Sequence, residues 1–415
     1  MKSLLFKHLK KADPKLYSLV ISEIERQENT INLIPSENIA DISLLEVIGS
    51  PLMNKYSEGY PGARYYPGNA IYDQIENLAK SRLLKAFKLG KDWRVNVQSY
   101  SGSPANFAIY LGLLNPGDTI LGMSLSHGGH LTHGHKVNFS GKIYGSVQYG
   151  VDFKTGLINY RELEKLVKKY QPKIIVSGAT AYPRKIDFKR IGEIAKKVNA
   201  YHLVDISHIA GLIAAKLHPS PFPYADIVMS TTHKTLAGPR GAIIFSRSKI
   251  SELIDKGVFP GSQGGPHNNI TAAKALMAYQ MAKPWFKKYE VQIIKNAKVL
   301  AQALKQYSFK LLTNGTDNHL MVIDLNDKGI TGKEAEILLE KTGILANRNT
   351  IPGDLRPFRP SGIRLGTPAV TKRGMKDKEM LKIAGFIKKI LIEKESPIKI
   401  QKEVATLCRQ FPLEY

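Results

Sequence analysis

The chain has 415 residues, with 60 Lys+Arg against 35 Asp+Glu and a formal net charge of +25. Hydrophobic residues make up 43% and charged residues 23%, which excludes wholesale disorder. The single cysteine, Cys408, excludes a disulfide framework and a thiolate-rich metal site. At ~150 residues per domain the length sets two or three folding units. The opening MKSLLFKHLKKADPK breaks its apolar run at Lys7, Lys10 and Lys11, too soon for a secretory signal. No uncharged apolar stretch approaches the ~20 residues needed to cross a bilayer. The expectation is a soluble, cytoplasmic protein without a membrane partner.

Taken in chain order, residues 1–30 read as an N-terminal arm or first helix. From about residue 95 short apolar runs alternate with helical patterns. VNVQSY is a strand and ANFAIYLGLL a helix; DTILGMS, PKIIVSG and YHLVDISH are strands, with a helix over 187–198 between the last two. ADIVMSTTH and GAIIFS follow. Strands apolar on both faces, alternating with helices, predict an α/β fold with a mostly parallel sheet covered by helices. A long helix then starts near residue 281, leading to HLMVIDL, GKEAEILLEKTG and a helical C-terminus. The expected organisation is an arm over 1–30, a large α/β domain over 31–280 and a small α+β domain over 281–415. The excess basic residues are spread along these helices beside glutamates, as in RELEKLVKKY, and not in blocks interleaved with aromatics. That is the pattern of solvated helix faces, so a nucleic-acid partner is not expected.

Six features carry chemistry. ADIVMSTTHKTLAGPRG delivers Lys234 from the end of a buried strand, where desolvation favours a neutral, nucleophilic amine. A lysine snorkelling out through the loop is the alternative. Asp205 closes the strand YHLVD, and a buried carboxylate needs a cationic or donor partner; capping the next turn is the alternative use. Twenty-nine residues separate Asp205 from Lys234, which suits two strands delivering both to one sheet edge. An aspartate facing a pyridine nitrogen and a Schiff-base lysine is the pairing of pyridoxal phosphate enzymes. Ser101-Gly102-Ser103 stands at a strand-to-helix turn, a place that binds phosphate. His127, His130, His133 and His135 crowd one glycine-rich run with no carboxylate or cysteine beside them. A ring stacked on a planar cofactor suits them better than a metal, so no metal site is expected. Arg364 lies within the apolar stretch SGIRLGT, fit for a carboxylate or for a buried ion pair. Glu58 sits among Tyr56, Tyr60, Tyr65 and Tyr66 in a Gly/Pro loop and is the natural general acid/base.

The strings NKYSEGYPGARYY, SYSGSPANFA, LSHGGHLTHG, LVDISHIAGLIAA, STTHKTLAGPRG, VFPGSQGGP, TDNHL and SGIRLGTPA together resemble the serine hydroxymethyltransferases, closest to the bacterial type. The likeness runs from about Asn32 to the C-terminus. It implies a fold-type-I pyridoxal phosphate enzyme, a homodimer with shared sites, moving the hydroxymethyl carbon of L-serine to tetrahydrofolate and giving glycine. By motif position Lys234 would carry the cofactor as a Schiff base, beside His233, with Asp205 on the pyridine nitrogen and His130 stacked on the ring. Ser101, Gly102 and Ser103 would hold the phosphate, joined by Gly264 and Gly265 of a second copy. Thr180 and His208 would flank the phenolic oxygen. Arg364, Ser36 and His208 would take the substrate carboxylate, and Tyr56, Glu58 and Tyr66 would enter from the second copy. Leu125, Gly129, His130, Leu131, Asn349, Pro357 and Phe358 would line the folate pocket, with Lys142, Arg184 and Arg348 at its rim. Thr180 replaces a usual serine, and Pro183-Arg184 brings a fixed φ and a positive charge to a position more often small. A folate-independent aldolase for 3-hydroxy amino acids shares Lys234, Asp205 and Arg364. From another class, a basic RNA-binding role is the remaining alternative.

Overall fold

The computed structural model describes residues 6–354 and 359–414. Seven apolar runs form strands β1 (Trp93–Asn96), β2 (Thr119–Met123), β3 (Gly145–Tyr149), β4 (Ile174–Ser177), β5 (Tyr201–Asp205), β6 (Ile227–Thr231) and β7 (Ala242–Arg247). They make one sheet in the order β1-β7-β6-β5-β4-β2-β3. Strands β2 to β6 pair in parallel, whereas β7 runs antiparallel to both β6 and β1. Every residue of β4 and β6 is buried, as expected for strands covered on both faces by helices.

Two departures from the sequence reading are physical. The run VNVQSY leaves the ladder after Asn96, because the carbonyls of Val97 and Ser99 turn to the ammonium of Lys274, at 2.6 and 3.0 Å. Strand β3 was not anticipated: it is an edge strand with four of its five residues only half-buried, so GSVQY lacks the apolar signature of its neighbours.

A second, antiparallel sheet is built from β8 (Lys310–Leu311), β9 (Leu320–Asp324), β10 (Asn347–Asn349) and β11 (Gly362–Gly366), ordered β8-β9-β11-β10. Its core takes Leu300 and Leu304 of the long helix Pro284–Gln306 and Ile383 and Ile387 of the helix Asp377–Leu391. Ile31 and Leu33 join this second core, since Ile31–Asn32 pairs in parallel with Ile344–Leu345.

The helices Lys7–Ala12 and Pro14–Glu28 bury no residue, and Leu19 is 61% exposed. Arg373 holds the end of the second of them. Its guanidinium donates to the carbonyls of Gln27, Glu28 and Thr30 on one side and of Cys408 and Phe411 on the other.

Candidate active site

In open sheets of this kind, ligands gather beyond the carboxyl ends of the parallel strands. Here β5 ends on Asp205, β6 runs on to Lys234, and the turn after β1 opens the helix Gly102–Leu113. All three converge on one cavity of about 330 Å³, which His130, Thr180 and His208 also line.

Lys234 is nine-tenths buried, and desolvation lowers its amine to about 8, with Asp205 opposing the shift and Arg364 and Arg240 adding to it. The snorkelling alternative therefore fails. Burial works against the charge of Asp205, yet a hydrogen bond from His133 Nε2 at 3.1 Å, the Lys234 charge and the Ser207 amide hold its carboxyl well below the usual range. Its position also bears Asn106 at 3.4 Å. Burial lowers His130 to about 4, so the ring is neutral, and Nδ1 is engaged with the hydroxyl of Thr132 at 2.8 Å. His233 is lowered to about 3, again by burial first.

The helix Gly102–Leu113 starts without a side-chain cap on Ser101, and Ser101, Gly102 and Ser103 line the cavity. Gly102 is needed there: a Cβ would meet Thr231 Cγ2 at 2.7 Å. Lys274 braces the stem of this turn from below, and its own burial lowers its amine to about 7.

Arg364 reaches across from β11 of the second sheet. It is nine-tenths buried, lowered to about 10 by that burial, and donates to Asn347 Oδ1 at 3.1 Å and to the carbonyl of Thr180. Among the described residues no carboxylate pairs with it, so the buried ion-pair alternative fails. The Thr180 hydroxyl is spent on the Gly129 carbonyl at 2.8 Å; it lines the cavity with its proton already used. Ser36 also lines it, and His208 lies 3.2 Å from His319.

Tyr56, Glu58, Tyr66, Gly264 and Gly265 do not line this cavity. They form a separate cluster of their own. The rings of Tyr56 and Tyr66 are 5.1 Å apart; a Cβ on Gly265 would meet the Tyr56 ring at 3.0 Å, and one on Gly264 would meet Glu58 Oε1 at 3.0 Å. Tyr56 is 55% and Tyr66 44% exposed. Arg64 locks the loop from beneath, donating to Glu76 and Asp73 at 2.8 Å and to the carbonyls of Ser57 and Gly59. Leu125 and Gly129 lie on the turn after β2, Leu131 is exposed beside His130, and Asn349 ends β10. Pro357 and Phe358 lie outside the described residues. Of the expected rim cations, Arg184 is committed to Asp317 at 2.8 Å and to Thr313, and Arg348 to Glu336 at 2.8 Å.

The sequence profile of serine hydroxymethyltransferase matches residues 9–387. The chain belongs to the serine hydroxymethyltransferase family. It is a pyridoxal phosphate-dependent enzyme that reversibly transfers the hydroxymethyl carbon of L-serine to tetrahydrofolate, giving glycine and 5,10-methylenetetrahydrofolate. The cavity fits the cofactor of that family: an amine lowered to about 8, a carboxylate held in its ionised form, and a helix start without a side-chain cap whose Ser101, Gly102 and Ser103 line the space. Three residues escaped the sequence reading. His133 stood in the histidine run without a role, His319 in the string TDNHL, and Lys274 carried no local signal at all.

Proposed function

We propose that the Lys234 cavity is the cofactor and serine site of this serine hydroxymethyltransferase, and that a second copy of the chain completes it. The observation that carries the reading is the convergence of the Lys234 amine, the Asp205 carboxylate and the Gly102 helix end on a single cavity. When bound, pyridoxal phosphate supplies the electron sink that breaking the Cα–Cβ bond of serine requires.

The residues of the chain do the rest. Lys234, lowered to about 8, gives up its proton far more readily than a free lysine and so can present a neutral amine to an aldehyde. Asp205, kept ionised by His133 and Lys234, would hold a proton on a pyridine nitrogen. His130 and His233 present neutral rings, and Ser101, Gly102 and Ser103 would take the phosphate. Arg364 is a buried cation with no carboxylate partner among the described residues, close enough to His208 and Lys234 to lower both; a substrate carboxylate would supply the missing anion, with Ser36 and His208 on the cavity wall.

Proton transfer to and from the one-carbon unit falls to Glu58, which we assign to the partner's contribution with Tyr56, Tyr66, Gly264 and Gly265. Their clustering away from their own Lys234 and the exposure of both tyrosines support a homodimer with shared sites. Leu125, Gly129, Leu131 and Asn349 are assigned to the folate pocket, where closure would keep water from a formaldehyde-level species. A large unit running to about residue 280, a smaller one over 281–415 that the segment 31–33 joins through its pairing with Ile344–Leu345, and a cytoplasmic setting complete the proposal. No helix among the described residues is long and apolar enough to cross a membrane.

The test is serine cleavage by the purified protein with and without each reduced pterin. Acceleration by tetrahydrofolate is expected. Cleavage indifferent to every pterin overturns the reading in favour of the aldolase.

A further inference from the structure

A second, much smaller void adjoins His208. It has about 10 Å³ of space for a water-sized sphere, the room one water needs. Three histidines border it: His208, His319 and His218. His208 Nδ1 and His319 Nε2 are 3.2 Å apart, and their rings stack at 5.4 Å. His218 Nδ1 lies 3.1 Å from the carbonyl of Pro219. The two remaining nitrogens, His319 Nδ1 and His218 Nε2, are buried and meet no hydrogen-bond partner among the described residues. Both rings are almost wholly buried, His319 at 0% and His218 at 6% exposure.

Proton accounting decides what fills the gap. A carbonyl only accepts, so His218 carries its proton on Nδ1 and shows a lone pair at Nε2. Burial keeps the rings neutral, lowering His319 to about 3 and His218 to about 4, with Lys185 adding to the fall at His218 and Asp317 opposing it. A water beside His218 therefore donates one proton to it and has a second to give. If that goes to His319 Nδ1, His319 holds its own proton on Nε2 and donates it to His208 Nδ1. His208 is left with its proton on Nε2, the nitrogen still free for the Lys234 cavity. The reverse polarity would present a lone pair to a cavity built for anionic oxygens.

We propose that one water between His319 and His218 completes a hydrogen-bonded chain, His218–water–His319–His208, that fixes His208 as the Nε2–H tautomer and so as a donor into the Lys234 cavity. His319 and His218 are positioning residues: neither lines the cavity, and both act through His208. The inference rests on the placing of His208 in the substrate and cofactor site.

Long-range ¹H–¹⁵N spectra of histidine-labelled protein, ligand-free and loaded with pyridoxal phosphate, test it directly. Expected are Nε2–H forms for His208 and His319 and an Nδ1–H form for His218, unchanged between about pH 6 and 9 given the lowered values above. His319→Leu should free the His208 tautomer and raise KM for serine roughly three- to tenfold, with kcat little changed. His319→Gln keeps a donor and an acceptor and should restore most of the loss. His218→Leu, which leaves the His208–His319 bond intact, serves if His319→Leu does not fold, with a smaller shift in the same direction. An Nδ1–H form of His208 in the unaltered protein overturns the chain, as do unmoved His208 signals in both leucine variants. Failure of the unaltered protein to cleave serine would instead overturn the site assignment and leave the spectra as they are.

Discussion

The Lys234 cavity and the Glu58 cluster hold comparable chemistry in opposite surroundings. In the cavity the central charges are buried and answer one another: Asp205 is met by His133 and Lys234, and Lys234 in turn by Asp205. In the cluster the tyrosines stand half open to solvent, and order comes from below, through Arg64 gripping Glu76 and Asp73. The difference teaches a division of labour. On the reading proposed above, one chain would assemble the Lys234–Asp205 electrostatics from its own residues, whereas Glu58 would be held ready on a surface and acquire its environment from a second copy.

The sharpest break of this comparison is Lys234→Ala. It should abolish turnover and the visible absorbance of added pyridoxal phosphate, read by spectroscopy and a serine cleavage assay. Arg364→Leu comes next. It should cut kcat/KM for serine by roughly two orders of magnitude or more while leaving the cofactor spectrum, because the substrate carboxylate would lose the guanidinium proposed to hold it. A mixing experiment then tests the sharing itself. Lys234→Ala and Glu58→Gln chains, each inactive alone, should regain about a quarter of wild-type activity when refolded together at equal amounts. Half of such dimers are mixed, and each mixed dimer carries one intact site. No regained activity, with mixed dimers shown to form, would mean that each chain supplies its own Glu58.

The smallest effect is a pH profile. Lys234 must lose its proton before it attacks an aldehyde, so cofactor capture by cofactor-free protein should rise with pH through about 8 and then level off. Asp205 favours the charged amine, so Asp205→Asn should move the midpoint down. The same shift has a sign in stability. The folded value lies below the unfolded value of 10.5, so the unfolded chain binds more protons between the two, and stability should rise with pH across that window.

What was legible in the sequence follows from where the information sits. Lys234, Asp205 and Ser101–Ser103 were readable because each ends or follows an apolar strand, a local pattern that burial explains. The α/β class was readable for the same reason, and edge strand β3 was not, because only one of its residues is buried. The partners were hidden. His133 meets Asp205 across 72 residues, His208 meets His319 across 111, and Lys274 meets Val97 across 177. No local pattern encodes such pairs; they exist only once the sheet order is set. Arg184 shows the converse error. A basic residue near an expected folate pocket looked available, but Asp317 and Thr313 already occupy it. The surplus of +25 remains mostly lysine on helix faces, for which the site gives no account.

Arg373 makes the two ends of the chain a single mechanical unit. Its one guanidinium serves carbonyls at 27–30 and at 408–411, so a cut that removes either set leaves the same buried cation short of acceptors. The penalties for trimming the two ends should then overlap, the second cut costing less than it would alone. Whatever the arm contributes, the last turn of the chain has a hand in holding it.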